Sequence, residues 1–247
     1  MFFYLGTHRP DWLAKAGVPL FVSRRRLTDR KTFPRAVAPW ALDSGGFTEL
    51  SMFGKWQTSP KEYVADVARF SEEVGELQWA APQDWMCEPS VLAQTGLAVR
   101  EHQGRTVQNY LTLRSLDPAL PIIPVLQGWE YGDYLRHIDD YCDAGVDLCA
   151  EAVVGVGSVC RRQQTSEAAG IITTLRALGI RLHGFGVKQG GLAKYRLALD
   201  SADSLAWSYA ARRGDPLEGC GHKNCANCLK YALRWRERIA GGGVSDV

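Results

Sequence analysis

A chain of 247 residues, 46% hydrophobic and 23% charged, has the make-up of one globular domain of the size at which α/β barrels close. Its formal net charge of +2 excludes a whole-molecule attraction to nucleic acid as an explanation of function. The longest apolar runs, such as LPIIPVLQGW, are short and proline-broken, which excludes a membrane-spanning helix.

The amino terminus, MFFYLG followed by His8, Arg9, Pro10 and Asp11, does not read as a secretory signal. Seven cysteines, three of them within residues 220–228, suit a reduced compartment with one metal site better than a disulfide framework. A cytoplasmic protein is therefore expected. Residues 24–35 hold six basic residues against one acid, so charge is local rather than global.

In chain order, the expected strands are residues 2–6 (FFYLG), 19–23 (PLFVS), 40–44 (WALDS) and 78–82 (QWAAP). Four more follow at 122–127 (IIPVLQ), 152–157 (AVVGVG), 182–187 (LHGFGV) and 204–208 (SLAWS). Near-continuous apolar character marks parallel strands covered on both faces. Helical patterns lie between them. Residues 59–75 carry a Ser59 cap, Pro60, a capping-box Glu62 and a Gly75 stop, with Tyr63, Val67, Phe70 and Val74 as the buried stripe. Residues 130–145 and 165–179 read similarly, and 90–116 is helical in parts. Eight strands with intervening helices predict an α/β fold, a (β/α)8 TIM-type barrel. It occupies 1–247 as one domain, with a zinc-binding segment and C-terminal helix at 218–240.

Barrel chemistry sits at the carboxyl ends of the strands. Those ends deliver Asp43 in DSGG, Asp84 in APQDW, Gln127-Gly128, Gly155 and Gly157 in VVGVGS, and the pair Asp200/Asp203. Each has a plain alternative in turn or cap chemistry; their convergence on one rim points to a site. Two carboxylates in different environments suit glycosidic-bond cleavage, one as nucleophile and one as general acid/base. The amide and glycine N–H groups would read the edge of a planar heterocycle. Phe47, Trp85, Trp129 and Trp207 are candidates to sandwich it.

GCGHKNCANCLKYALRW places Cys220, His222, Cys225 and Cys228 within nine residues. That donor set suits tetrahedral zinc with no open position, hence a structural Zn2+. His183 and His102 remain alternatives for the histidine ligand. Beyond it, Lys230, Arg234 and Arg238 form a stripe opposite an apolar face and, with Arg212 and Arg213 upstream, are candidate phosphate contacts.

Taken together, these residues resemble the tRNA-guanine transglycosylase superfamily over most of the chain. DSGGF resembles the stretch around that family's general acid/base aspartate, Asp43, with Thr48 where glutamine is usual and Ser44 and Gly45 beside the base. Asp84 and Gln127 resemble its base-recognising residues, VVGVGS its pocket-closing strand, and LHGFGV the strand before the nucleophile. Asp203 stands where the nucleophile is found. Cys220-x-His222-x-x-Cys225 is similar to the family's zinc segment, with histidine for one cysteine. A Pro-Thr-Arg segment usual after the nucleophile is absent, and the chain is short.

The resemblance implies exchange of guanine for a 7-deazaguanine through a covalent aspartyl-sugar intermediate. The short phage and bacterial branch that modifies DNA is the preferred placement. Exchange on tRNA, plain hydrolysis and a catalytically idle nucleic-acid-binding paralogue are the alternatives. Asp200 remains open as the nucleophile, and a homodimer or accessory proteins remain open as partners.

Overall fold

The structure is a computed structural model that describes residues 1–240; the terminal 241–247 lie outside the described residues. Its strands are β1 (Phe2–Thr7), β2 (Leu20–Ser23), β3 (Trp40–Asp43), β4 (Leu77–Ala80), β5 (Val125–Leu126), β6 (Val154–Val156), β7 (Leu182–Gly184) and β8 (Ser201–Ser204). All pairings are parallel, in the order β4-β3-β2-β1-β8-β7-β6-β5. The remaining seam, between β4 and the approach to β5, is held by an Ala80–Ile122 bridge, with Ala80 N donating to Pro121 O at 2.9 Å and Ile123 N to Ala80 O at 3.1 Å. A (β/α)8 barrel results, with a slender fifth staff.

Helices α1 (Gly46–Phe53) and α2 (Pro60–Val74) follow β3, and α3 (Pro89–Thr95) and α4 (Val99–Leu116) follow β4. Single helices follow β5, β6 and β7: α5 (Tyr131–Asp143), α6 (Ser166–Ala177) and α7 (Gln189–Tyr195). After β8 come α8 (Ala206–Arg213) and α9 (Leu229–Ala240). The first two crossovers depart from the repeat: only 3-10 turns, Pro10–Ala14 and Arg24–Arg26, follow β1 and β2. In the second turn Arg24 is buried against Asp66 of α2, Nη2 to Oδ2 at 2.6 Å.

Helix α2 forms as its sequence dictates. Ser59 caps it reciprocally with Glu62, Gly75 ends it, and Tyr63, Val67, Phe70 and Val74 are buried in the layer between barrel and helices.

The eighth strand is a correction. Residues 204–208 were expected to be it, yet β8 is Ser201–Ser204 and Ala206–Arg213 is helical. Trp207, Ser208 and Ala211 are the buried positions, a three-to-four spacing that belongs to a helix. Asp203 therefore sits on the last strand itself.

Inside the barrel, Tyr4, Ala41, Trp79, Ala81, Ile123 and Val153 pack with Phe21 and Phe185. His183 is fully buried among these rings, 4.6 Å from Trp79 and 4.9 Å from Phe185 between centroids. This aromatic floor fills the barrel beneath its mouth.

Candidate active site

A cavity of about 290 Å3 opens at the carboxyl ends of the strands. Its wall includes Asp43, Ser44, Asp84, Gln127, Gly157 and Asp203 from the expected set. That volume is near the lower end of small-molecule sites.

Asp203 reaches the mouth on β8. Its Oδ1 accepts from Gly186 N at 2.9 Å and lies 3.3 Å from His183 Nε2. Gly186 has φ +60°, a left-handed geometry natural to glycine, and this turn presents its amide to the carboxylate. His183 Nδ1 is 2.9 Å from Ser201 Oγ. With a proton on Nε2 the imidazole donates to Asp203, and Nδ1 is left to meet the Ser201 hydroxyl. Both donors thus engage one carboxylate oxygen, and among the described residues no hydrogen bond engages Oδ2.

Asp200, three residues earlier, is at the other end of β8. It pairs with Arg176 Nη1 at 2.7 Å and accepts from Leu182 N at 2.9 Å, outside the cavity. The spacing that made it an alternative in sequence places it at the barrel floor.

Asp43 ends β3 in register with Ser23 of β2. Burial pushes its carboxyl above the usual aspartate value; the Ser23 hydroxyl and Gly45 amide offset part of this, and the Asp203 charge adds to it. Gly45, at φ +81°, starts α1 immediately afterwards, and Ser44 Oγ accepts from Gly46 N at 3.3 Å.

Asp84 follows β4 and is pushed up to about 7, first by burial and further by the Asp43 and Glu88 charges, against the lowering effect of Gln127. Gln127 Nε2 donates to Asp84 Oδ2 at 2.5 Å. The main chain of Gln127 is clamped from both sides. Its N–H donates to His137 Nδ1 at 2.8 Å, and its carbonyl accepts from Gln103 Nε2 at 2.8 Å. His137 is held neutral by burial, its value lowered to about 4. Gly157 has to be glycine here: a Cβ would stand 2.2 Å from Gln127 Nε2.

Gly45, Gly128 and Gly155 are not on the cavity wall. Gly155 serves packing, since its Cβ would stand 2.5 Å from the Phe185 ring, and Gly128 lets the chain pass Asp133 and Tyr134. Among the four aromatic candidates, Phe47 alone lines the cavity, 43% exposed with the Arg161 guanidinium over its ring. Trp207 is buried against Trp12, Trp85 packs on His102, and Trp129 lies under Arg162. Phe21 and Phe185 are the other aromatic wall residues.

Several wall residues escaped the sequence reading: His8, Ser23, Glu88, Ser158 and, behind Asp203, His183. Of these the sequence offers only His183, as a metal ligand, and the structure closes that alternative. It is bound inside the barrel, while His102 bonds Thr95 Oγ1 and the Met86 carbonyl.

The Cys-His-Cys-Cys cluster is local. One ligand-type atom from each of Cys220, His222, Cys225 and Cys228 lies within 4.8 Å of the others, a group able to hold a metal ion. Leu217 N donates to Cys225 Sγ at 3.3 Å, as N–H groups do to thiolate ligands. Ser208 Oγ donates to Ala226 O at 2.8 Å, tying the cluster to α8. Helix α9 then runs to the start of β1, where Trp235 meets Phe3 and Arg236 donates to the Phe3 carbonyl.

Arg212, Arg213, Lys230, Arg234 and Arg238 are all exposed. Arg212 is near the cavity: with Arg26 it depresses the His8 imidazole, whose value is lowered first by burial. Arg213 stacks on Tyr209, and Lys230, Arg234 and Arg238 lie on α9, which follows the Cys-His-Cys-Cys cluster.

Eight parallel strands bring three aspartates and an amide to one mouth, with a Cys-His-Cys-Cys cluster after the last, the arrangement that the resemblance to the tRNA-guanine transglycosylase superfamily implies. The family model DpdA, described as DeoxyPurine in DNA protein A, matches residues 1–245, and the chain belongs to that family. Membership implies a transglycosylase of the tRNA-guanine type acting in DNA modification. No curated protein matches the chain significantly. No helix among the described residues is long and apolar enough to cross a membrane.

Proposed function

We propose that the chain exchanges guanine in DNA for a 7-deazaguanine by double displacement at C1′. The observation that carries this is the placement of Asp203, held through one oxygen by Gly186 and His183, across one cavity from the Asp84–Gln127 pair.

In the first half-reaction Asp203 Oδ2 forms a bond to C1′ and the C1′–N9 bond breaks, its electron pair leaving with guanine. Asp43, whose carboxyl burial keeps protonated to higher pH, gives its proton to the departing base. In the second, the incoming 7-deazaguanine loses its N9 proton to the Asp43 carboxylate and attacks C1′, and Asp203 is released. Asp84 accepts from the N1–H and 2-amino groups of the base, and Gln127 donates to O6. A base in a duplex has to leave its stack to enter such a cavity. Phe47, Arg26 and Arg212 at the mouth are placed to meet the nucleotide and its phosphates.

Incubating the protein with radiolabelled guanine and, separately, duplex DNA, single-stranded DNA or bulk tRNA tests this. Label entering DNA is the expected result. Label in tRNA alone moves the same chemistry to another polymer, and abasic sites in place of label indicate hydrolysis. No label with a folded, metal-loaded protein points to an idle paralogue.

We further propose that Cys220, His222, Cys225 and Cys228 bind structural zinc, three thiolates and an imidazole closing the tetrahedron. The metal would fix the 218–228 loop and seat α9 on β1, and takes no part in the exchange. Cys225→Ser is expected to lower stability by about 2–4 kcal/mol and to release α9. Thermal denaturation and hydrogen exchange over 229–240 check this; an unchanged melting curve with no zinc in the wild type would contradict it.

A further inference from the structure

Ser158 closes the loop after β6 in a conformation that L-residues avoid. Its φ is +56°, and Glu76 is the other non-glycine residue with positive φ among those described. Such strain gathers where function holds it. Ser158 is 4% exposed, and its hydroxyl is the meeting point of three groups. Cys87 N donates to Oγ at 2.7 Å, Gln127 Oε1 lies 2.7 Å away, and Glu88 Oε2 lies 3.0 Å away.

A serine hydroxyl has one hydrogen, and its neighbours decide where it goes. The Cys87 amide already donates to the oxygen. Gln127 Oε1 can only accept, so the hydroxyl hydrogen goes there, along the shorter contact. In its protonated form Glu88 completes the set by donating to Ser158. Its burial among the cavity wall favours that form.

The consequence falls on the amide of Gln127. Its oxygen is held by Ser158, and one hydrogen of its Nε2 is given to Asp84 Oδ2. The second hydrogen remains for a ligand in the cavity that Gln127 lines. The absence of a Cβ at Gly157 leaves room for this placement. An amide flipped by 180° would offer an acceptor instead, and would suit a 6-amino base.

We propose that Ser158, braced by Glu88, is a specificity-determining positioning residue that locks the Gln127 amide with its NH2 group toward the base. The cavity then selects 2-amino-6-oxopurines and their 7-deaza relatives over 6-aminopurines. This rests on the base-exchange reading for the location of the base.

The test is calorimetric binding of guanine and of 2,6-diaminopurine to the full chain, run alongside the labelled-guanine assay. Wild type is expected to prefer guanine. Ser158→Ala is expected to shrink that preference by about ten- to a hundredfold, the effect of misplacing one buried hydrogen bond. Ser158→Gly relieves the left-handed strain but also lacks the hydroxyl, and should lose the preference equally. Recovery of the preference by glycine would mean that Ser158 shapes only the loop, and would overturn the proposal. Glu88→Gln, whose amide can donate to Ser158, should keep the preference within about threefold. Retention of the wild-type ratio in Ser158→Ala would also overturn it. Binding reads base selection without chemistry, so a wild type that binds guanine selectively yet transfers none defeats the exchange reading alone.

Discussion

Asp203→Asn is expected to reduce guanine exchange by at least about 10^4-fold while leaving the fold and base binding close to wild type. Removing a covalent nucleophile takes away the pathway itself, and losses of this order or larger are the measured precedent. Asparagine keeps an oxygen able to accept from Gly186 N and His183 Nε2, so the β7–β8 corner need not rearrange. The variant should therefore melt within a few degrees of wild type and bind guanine with similar affinity. Single-turnover incorporation of label and a thermal melt check both halves. Residual exchange above about one per cent of wild type would mean that another group attacks the sugar.

Asp84→Asn is the second large effect, with opposite consequences for stability and function. The folded-state value of Asp84 lies near 7, against 3.8 for an unperturbed aspartate, chiefly through burial. Between those values the folded protein holds a proton that the unfolded chain has released. Stability therefore falls as pH rises from about 4 to about 7, and the full cost is present above 7. A shift of this size corresponds to a few kcal/mol, on the order of 1–4. Asparagine cannot ionise, so the variant should melt higher than wild type at pH 8, by about 5 °C, with little gain at pH 4.

Function moves the other way. The charged acceptor for N1–H and the 2-amino group is lost, and guanine affinity should fall by about a hundredfold or more. In wild type, affinity should climb about tenfold per pH unit up to about 7 and then level, because binding selects the ionised carboxyl. Calorimetry at pH 6 and pH 8 measures this directly. A flat affinity across that interval would remove Asp84 from base recognition.

Much of this architecture was legible because β1, β3, β5, β6 and β7 are buried along nearly their whole length. Runs such as FFYLG and WALDS announce themselves by apolarity alone. β8 did not, because its inner face carries Ser201 and Asp203, which belong to the site and break the apolar pattern. The neighbouring LAWSYAA is more apolar and attracted the assignment, although its buried positions follow a helical period.

The same distinction separates the parts of the site. The Cys-His-Cys-Cys cluster is written within nine consecutive residues, so spacing reveals it. Asp43 and Gln127 follow apolar strands, where any barrel presents side chains. Glu88 and Ser158 are 70 residues apart in sequence, and Gln127 and Ser158 are 31 apart. Their partnership exists only once β4, β5 and β6 share a rim. His183 reads in sequence as a strand residue or a distant metal ligand until β8 places Asp203 beside it. Trp207 shows the reverse error: an aromatic close to Asp203 in sequence, it turns into the core and donates to the Gly6 carbonyl.

The covalent intermediate is the central claim, and trapping it is the decisive measurement. Wild-type protein is incubated with guanine-containing DNA without added base, denatured, digested with protease and nuclease, and examined by mass spectrometry for a deoxyribose-linked peptide. The account predicts an ester on the peptide containing Asp203, lost in Asp203→Asn and reversed by adding guanine before denaturation. An adduct mapped to Asp43 or Asp84, or active exchange with Asp203 never modified, would contradict it.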